Sequence, residues 1–310
     1  MERLLMDETA DVVIIGAGII GLSVAYKIAR RSSLKIIVLE KGSGLGEGST
    51  GASSAVCRFL YSHPEMVELA RDGIEAYRNW AEFLEMAEPR ARFHNDGVLW
   101  LGDGGTGRPE TEQLRLAALG VHAEVLDDAE LQSRFPAFNP CILAPDLEAA
   151  MEHACRGGGR HLLEVDGGYI DPVDALHDLA DAARARGVSV RLKTEVESVI
   201  ATDGRAAGVA LADGARIAAG VVVNAAGPWC NRFFEQLGLD LGWPLVPTRI
   251  QVVHLDRPAA LEGPIPVTID AAAGIYFRTQ NRGQQIIVST VREEDEQEAV
   301  DRPDDYARYV

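Results

Sequence analysis

Gly16, Gly18 and Gly21 stand in the spacing G-x-G-x-x-G, and Glu40 lies 19 residues beyond the last of them. Together these residue types suit the grip of a dinucleotide. The first glycine permits a tight turn, the second lets backbone approach a diphosphate, and the third lets a helix pack closely on a sheet. A carboxylate placed about 20 residues further on reaches a ribose diol. It also repels a 2′-phosphate, so NADP is the least favoured dinucleotide. The rival is a tight turn that binds nothing, and three glycines alone do not exclude it.

The elements needed to position these residues are legible around them. Val12 to Ile15 are consecutive β-branched residues, the pattern of a parallel strand buried on both faces. From Ile19 the period becomes helical, with Gly21, Val24, Ala25 and Ile28 on one face, so first-turn N–H groups point at a phosphate. "LKIIVLEKG" is a second buried strand ending at Glu40. Glycines at 42, 44, 46, 48 and 51 then alternate with Ser and Thr, which makes a loop. A nicotinamide enzyme would pass quickly to its next strand, whereas this loop offers N–H groups and hydroxyls to a large polar ligand. A mobile linker has the same composition.

The 310 residues suggest two domains, and 47% apolar with 25% charged residues is the composition of a globular protein. A net charge of −17 repels nucleic acid and anionic membrane surfaces. No apolar run is long enough to span a bilayer. The start, "MERLLMDETADVV", lacks the pattern of an export signal, and the four cysteines form no C-x-x-C pair. A cytoplasmic location is the expectation. His153, Cys155 and His161 are close in sequence, but the "CRGGGRH" segment reads as a loop and no metal is expected there.

The first strand and helix, "LEKG", "GSTGASS", "GGYIDP" and "VVVNAAGPW" resemble, in that order, the FAD-dependent D-amino acid oxidase superfamily, which includes glycine and sarcosine oxidases. The resemblance runs from about Asp11 to Thr290. It implies an α/β fold, a Rossmann-like FAD-binding domain with an inserted α+β substrate domain carrying an antiparallel sheet. Expected bounds are 1–87 and 166–228 for the first and 88–165 and 229–310 for the second. It implies FAD as cofactor, a small amino- or hydroxy-acid substrate, and oxygen or a quinone as electron acceptor. Carried onto this chain, Ile19 and Ile20 lie against the diphosphate, and Glu40 with Lys41 hold the adenosine ribose. Ser49, Thr50, Ser54, Ala55 and Val56 approach the rest of FAD, and the Val196 backbone meets the adenine. Arg58 matches a flavin-facing arginine of sarcosine oxidases, and Tyr276 a substrate-contacting tyrosine of glycine oxidase. The rivals are a surface arginine and a core tyrosine.

Elsewhere, the segment from Pro64 to Leu84 reads as one amphipathic helix and "DDAELQSRFPAF" as an Asp-capped one. Asp171 and Pro172 open another that Gly187 ends. Asp-Gly turns at 203–204 and 213–214 mark a β-meander, and four segments between 247 and 291 read as antiparallel strands. Arg249 and Arg278 are weaker candidates, since strand arginines mostly point to solvent, and His63 and His254 receive no role. The acidic segment after Val291 reads as a helix. The last strand, glycine turn and helix by which the superfamily returns to its FAD domain are expected to be absent. A flavin-binding scaffold and an NAD-dependent dehydrogenase remain alternatives.

Overall fold

The protein is described by a computed structural model covering residues 8–102, 108–143, 155–243, 245–259, 261–291 and 298–299. Strand β1 (Glu8–Ile15), helix α1 (Ile19–Ala29) and strand β2 (Ile36–Leu39) open the chain. The two strands sit inside a six-stranded sheet, ordered Val196–Thr202, Arg205–Leu211, Arg216–Asn224, β1, β2, Ser189–Arg191. Its inner pairs are parallel, and the 196–211 hairpin and its junction with Arg216–Asn224 are antiparallel. Because side chains alternate along a strand, Val12 and Ile14 face one layer while Val13 and Ile15 face the other. The first pair packs on Leu22, Tyr26, Leu176 and Leu179 of α1 and helix Pro172–Ala185. The second packs on Val209, Leu211 and Phe233. Each such buried side chain contributes roughly 1.5–3 kcal/mol, and both faces need aliphatic residues.

The β1 edge near its start is held electrostatically. The Glu8 carboxylate accepts from Arg191 Nη1 at 2.7 Å, Arg191 Nη2 at 2.9 Å and Lys35 Nζ at 3.1 Å. These bonds lower its pKa from 4.5 to about 2. A depressed carboxyl stabilises the fold above its unfolded pKa and loses that contribution as pH falls through the folded value. Glu8→Gln is therefore expected to cost about 1 kcal/mol near neutrality. The gap to wild type closes between pH 4.5 and about 2, as read by urea denaturation at a series of pH values.

The second sheet has seven strands, ordered Val252–Asp256, Gln285–Thr290, Ile275–Gln280, Val267–Asp270, Val98–Leu101, Arg160–Glu164, Ala123–Asp127. It carries the expected antiparallel pairing, and one junction is parallel, that of Val267–Asp270 with Val98–Leu101. The two strands come from segments far apart in sequence, so no local turn sets their direction. A three-stranded ribbon of Val56–Cys57, Gly168–Ile170 and Phe93–His94 completes this part.

The expected single helix from Pro64 to Leu84 is two, Pro64–Arg78 and Trp80–Leu84. Asn79 breaks it, its side-chain amide donating back to the Glu75 carbonyl at 3.1 Å and its ψ reaching 40°. Asp127 caps Asp128–Arg134 in a reciprocal box with Glu130, and Asp171 caps Pro172–Ala185 through the Val173 and Asp174 amides. In the acidic segment after Val291, Glu298–Ala299 form a short strand against Thr248–Arg249, where a helix was expected; its other residues lie outside the described ones. Among the described residues no helix is long and apolar enough to cross a membrane, and no cluster of metal-ligating side chains occurs. Of the His153, Cys155 and His161 trio, His161 is buried between the Gly102 amide and Asp128, Cys155 is exposed, and His153 lies outside the described residues.

Candidate cofactor site

At the C-terminal ends of β1 and β2 the first turn closes tightly. Gly16 donates to the Leu39 carbonyl at 2.8 Å and Ala225 to that of Ile15 at 2.9 Å. Gly16 has φ +100°, and a Cβ there would stand 2.4 Å from the Ala225 oxygen. A Cβ on Gly21 would stand 2.0 Å from the Gly16 oxygen, so α1 can lie on the turn only without one. The α1 N-cap is Gly18, which supplies no side-chain cap, and the first turn has no acidic side chain. Helix starts leave their first N–H groups without intrahelical partners and carry partial positive charge. The Thr50 hydroxyl takes the Ile19 amide at 3.1 Å. The Ile20 side chain beside it is 67% exposed, although it is apolar.

Glu40 follows β2 directly. Its carboxylate accepts from the Ala17 amide at 2.9 Å and the Gly42 amide at 2.8 Å, tying the glycine turn to the Gly/Ser loop. Around these groups lies a cavity of about 820 Å³, within the range of ligand sites and large enough for a dinucleotide. Gly16, Gly18, Ile19, Ile20, Glu40 and Lys41 border it from the first βαβ unit. Ser49, Thr50, Ala55 and Val56 border it from the loop, and Val196 from the meander. Gly21 and Ser54 are not among the residues that border it, though their chain neighbours Ile20, Ser53 and Ala55 are. Ala225 and Ala226 also border the space, so their small size serves the cavity as well as the contact with Gly16.

Lys41, expected at the ribose, holds its ammonium 3.7 Å from the centre of the Trp229 ring, and both border the cavity. Other bordering residues carry no sequence signal. Cys57 and Tyr77 line it as well, and burial pushes each up to about 12. Ala55 has φ +47°, a left-handed conformation that costs a residue with a side chain roughly 1–3 kcal/mol.

Arg58 and Tyr276 do not border the cavity. The Arg58 guanidinium lies 4.1 Å from the Tyr61 ring centre and 5.6 Å from that of Trp100, and donates to the Leu60 carbonyl. Beneath it Glu164 is fully buried and accepts from the Phe59 and Leu60 amides and, at 2.6 Å, from Trp100 Nε1. Burial raises the Glu164 pKa, against the opposing pull of these donors and of the Arg58 charge. Tyr276 donates to the Ser54 hydroxyl at 2.9 Å. Arg278, expected to face solvent, is 2% exposed, with its guanidinium over the Tyr169 ring and Nε donating to the Ser54 carbonyl. The side chain of Arg249 lies outside the described residues.

The donor set fits FAD: a helix N-terminus with no acidic side chain in its own first turn for the diphosphate, a carboxylate for a ribose, and a cavity of sufficient volume around them. Comparison with known proteins points the same way. Human mitochondrial dimethylglycine dehydrogenase is 26% identical over 282 residues, covering 89% of this chain and 30% of that protein. Human peroxisomal sarcosine oxidase is 28% identical over 244 residues, 79% of this chain and 56% of its own length. The chain thus spans about a third to little more than half of these relatives. Among solved structures, L-proline dehydrogenase from P. horikoshii superposes with a TM-score of 0.74 at 21% identity, covering 91% of this chain and 70% of that one. Glycine oxidase from Geobacillus kaustophilus gives 0.73 at 21% identity, covering 91% and 71%. The family model for FAD dependent oxidoreductases of the DAO type matches residues 11–310, and the chain belongs to that family.

Proposed function

We propose that this chain holds FAD along the cavity and oxidises a small amino acid, or a related hydroxy acid, at the carbon bearing the nitrogen or oxygen. The observation that carries the reading is the meeting, at one cavity, of the α1 N-terminus, whose Gly18 N-cap has no side chain, with the Glu40 carboxylate. Relatives named for dimethylglycine and sarcosine favour an amino acid with a substituted nitrogen over a hydroxy acid.

Bound FAD supplies the acceptor of the hydride, at flavin N5. The chain's own residues orient and enclose. First-turn amides of α1, with Gly16, Gly18 and Gly21 shaping the approach, hold the diphosphate, against which Ile19 and Ile20 pack. Glu40 with Lys41 holds the adenosine ribose, and the Val196 backbone meets the adenine. Ser49, Thr50 and the Ser54 to Val56 wall enclose the remainder. Arg58 follows that wall in sequence, and its guanidinium, resting on the Tyr61 and Trp100 rings, is the charge offered to a substrate carboxylate. On this reading the six-stranded sheet carries the cofactor and the seven-stranded sheet faces the substrate. Electrons leave to oxygen or to a quinone.

The test is FAD titration of the purified chain, followed by turnover of small amino and hydroxy acids with an artificial electron acceptor. The expected result is a yellow protein that reduces the acceptor with a subset of the amino acids. Binding without turnover across the panel would favour a flavin-holding scaffold, and thermal protection by NADH in place of FAD a nicotinamide enzyme. Within the same titration, Glu40→Ala is expected to raise the FAD dissociation constant about tenfold to a hundredfold. It loses charged hydrogen bonds to the ribose at about 1.5–3 kcal/mol each.

A further inference from the structure

Two side chains of the seven-stranded sheet converge on one residue of the Gly/Ser loop. Tyr276 and Arg278 are two apart on strand Ile275–Gln280, so they project to the same face. The Tyr276 hydroxyl donates to Ser54 Oγ, and Arg278 Nε donates to the Ser54 carbonyl. The next residue, Ala55, is the left-handed one, and Ala55, Val56 and Cys57 form the adjoining wall of the cavity. A non-glycine residue keeps such a conformation only where its surroundings over-determine it. Here Ser53 Oγ accepts from the Ala55 amide at 2.9 Å, and the Ala55 carbonyl accepts from Ile170 at 3.4 Å.

Arg278 adds a second oddity. It is nearly fully buried, and no carboxylate among the described residues pairs with it; it rests 4.3 Å from the Tyr169 ring centre and donates to the Thr279 carbonyl. Burial pulls its pKa below that of an ordinary arginine. The Asp171 carboxylate offsets its charge without touching it, and a buried cation with no carboxylate in contact is costly to hold. Its bonds hold a cavity wall, and the family's cofactor is a dianion.

We propose that Tyr276 and Arg278 are positioning residues that clamp Ser54 and thereby hold the Ala55–Cys57 wall in the shape that receives FAD. The proposal rests on the cofactor reading above. It makes the seven-stranded sheet part of the cofactor site, through two hydrogen bonds spanning more than 220 residues of chain.

Arg278→Met, Arg278→Lys and Tyr276→Phe test it in two arms. In the first, without cofactor, Cys57 is alkylated with a maleimide and followed by peptide mass spectrometry. The half-buried thiol reacts slowly in wild type, and faster by about tenfold in Arg278→Met as the wall loosens. In the second, FAD is titrated, with the visible circular dichroism of the bound flavin as signature. Arg278→Met is expected to weaken binding about tenfold and change that spectrum, Tyr276→Phe to do so by a few-fold, and Arg278→Lys to recover part of the loss. A wild-type chain that takes up no FAD sinks the cofactor reading and leaves the alkylation arm to decide the clamp. Cys57 rates unchanged in both Arg278→Met and Tyr276→Phe overturn it, as does wild-type FAD binding by Arg278→Met.

Discussion

Gly21→Val abolishes FAD uptake at any practical concentration and lowers the stability of the chain by at least about 1–3 kcal/mol. The added Cβ would sit 2.0 Å from the Gly16 carbonyl oxygen and 3.3 Å from Ile14 Cγ2. The first of these is backbone, so no side-chain rotation relieves the clash. Either α1 lifts off β1 or the glycine turn opens, and both displace the first-turn amides from the diphosphate position. Flavin absorbance retained after gel filtration reads the first effect, and urea denaturation of the cofactor-free chain reads the second. Gly73→Ala is the matching control. It lies inside helix Pro64–Arg78 with nothing within 4 Å of the new Cβ, and is expected to gain about 0.5–1 kcal/mol from helix propensity. Equal losses in both variants would remove the close-packing explanation.

Glu164→Leu is expected to cost about 3–5 kcal/mol, the largest loss of stability from any single side chain discussed. It strands three donors at once: the Phe59 and Leu60 amides and the Trp100 indole N–H. It also leaves the Arg58 charge without its nearby carboxyl. Glu164→Gln keeps one acceptor oxygen but turns an NH₂ group toward the remaining donor, and is expected to lose about half as much. The pH dependence has a definite sign. The folded carboxyl has a raised pKa, so the native state binds its proton more tightly than the unfolded chain does. Its contribution is then full below the unfolded value of 4.5 and declines as pH rises from there toward the folded value. Relative to wild type, Glu164→Gln should lose least at the upper end of that window. A deficit that grows with pH would contradict this placement of the carboxyl.

Much of the cofactor corner was legible because its rules are local. The turn needs glycines at set intervals, β1 and β2 need unbroken aliphatic runs, and the carboxylate must end the second strand. The capped helices at Asp127 and Asp171 and the Asp-Gly turns of the meander rest on the same kind of short-range chemistry. The break at Asn79 was not legible. Helical period continues across it, and what marks the break is the bonding of the Asn79 side chain back to Glu75 and a ψ that leaves the helical region.

Residue identity within some twenty positions of chain set out the strand, glycine turn, helix and second strand of the first βαβ unit and the carboxylate that closes it. What lies further apart in sequence was settled by packing alone. No local pattern tells that Arg278 points inward, because burial depends on what covers a strand face, here Tyr169 and Ser54. Nor does one tell that Tyr276 bonds a loop 222 residues earlier, or that Glu164 gathers amides from residues more than 100 positions away. Hydrogen bonds of that span exist only once the seven-stranded sheet has closed on the segment from Ser54 to Leu60, so the folded chain was needed to reveal how its far wall is held.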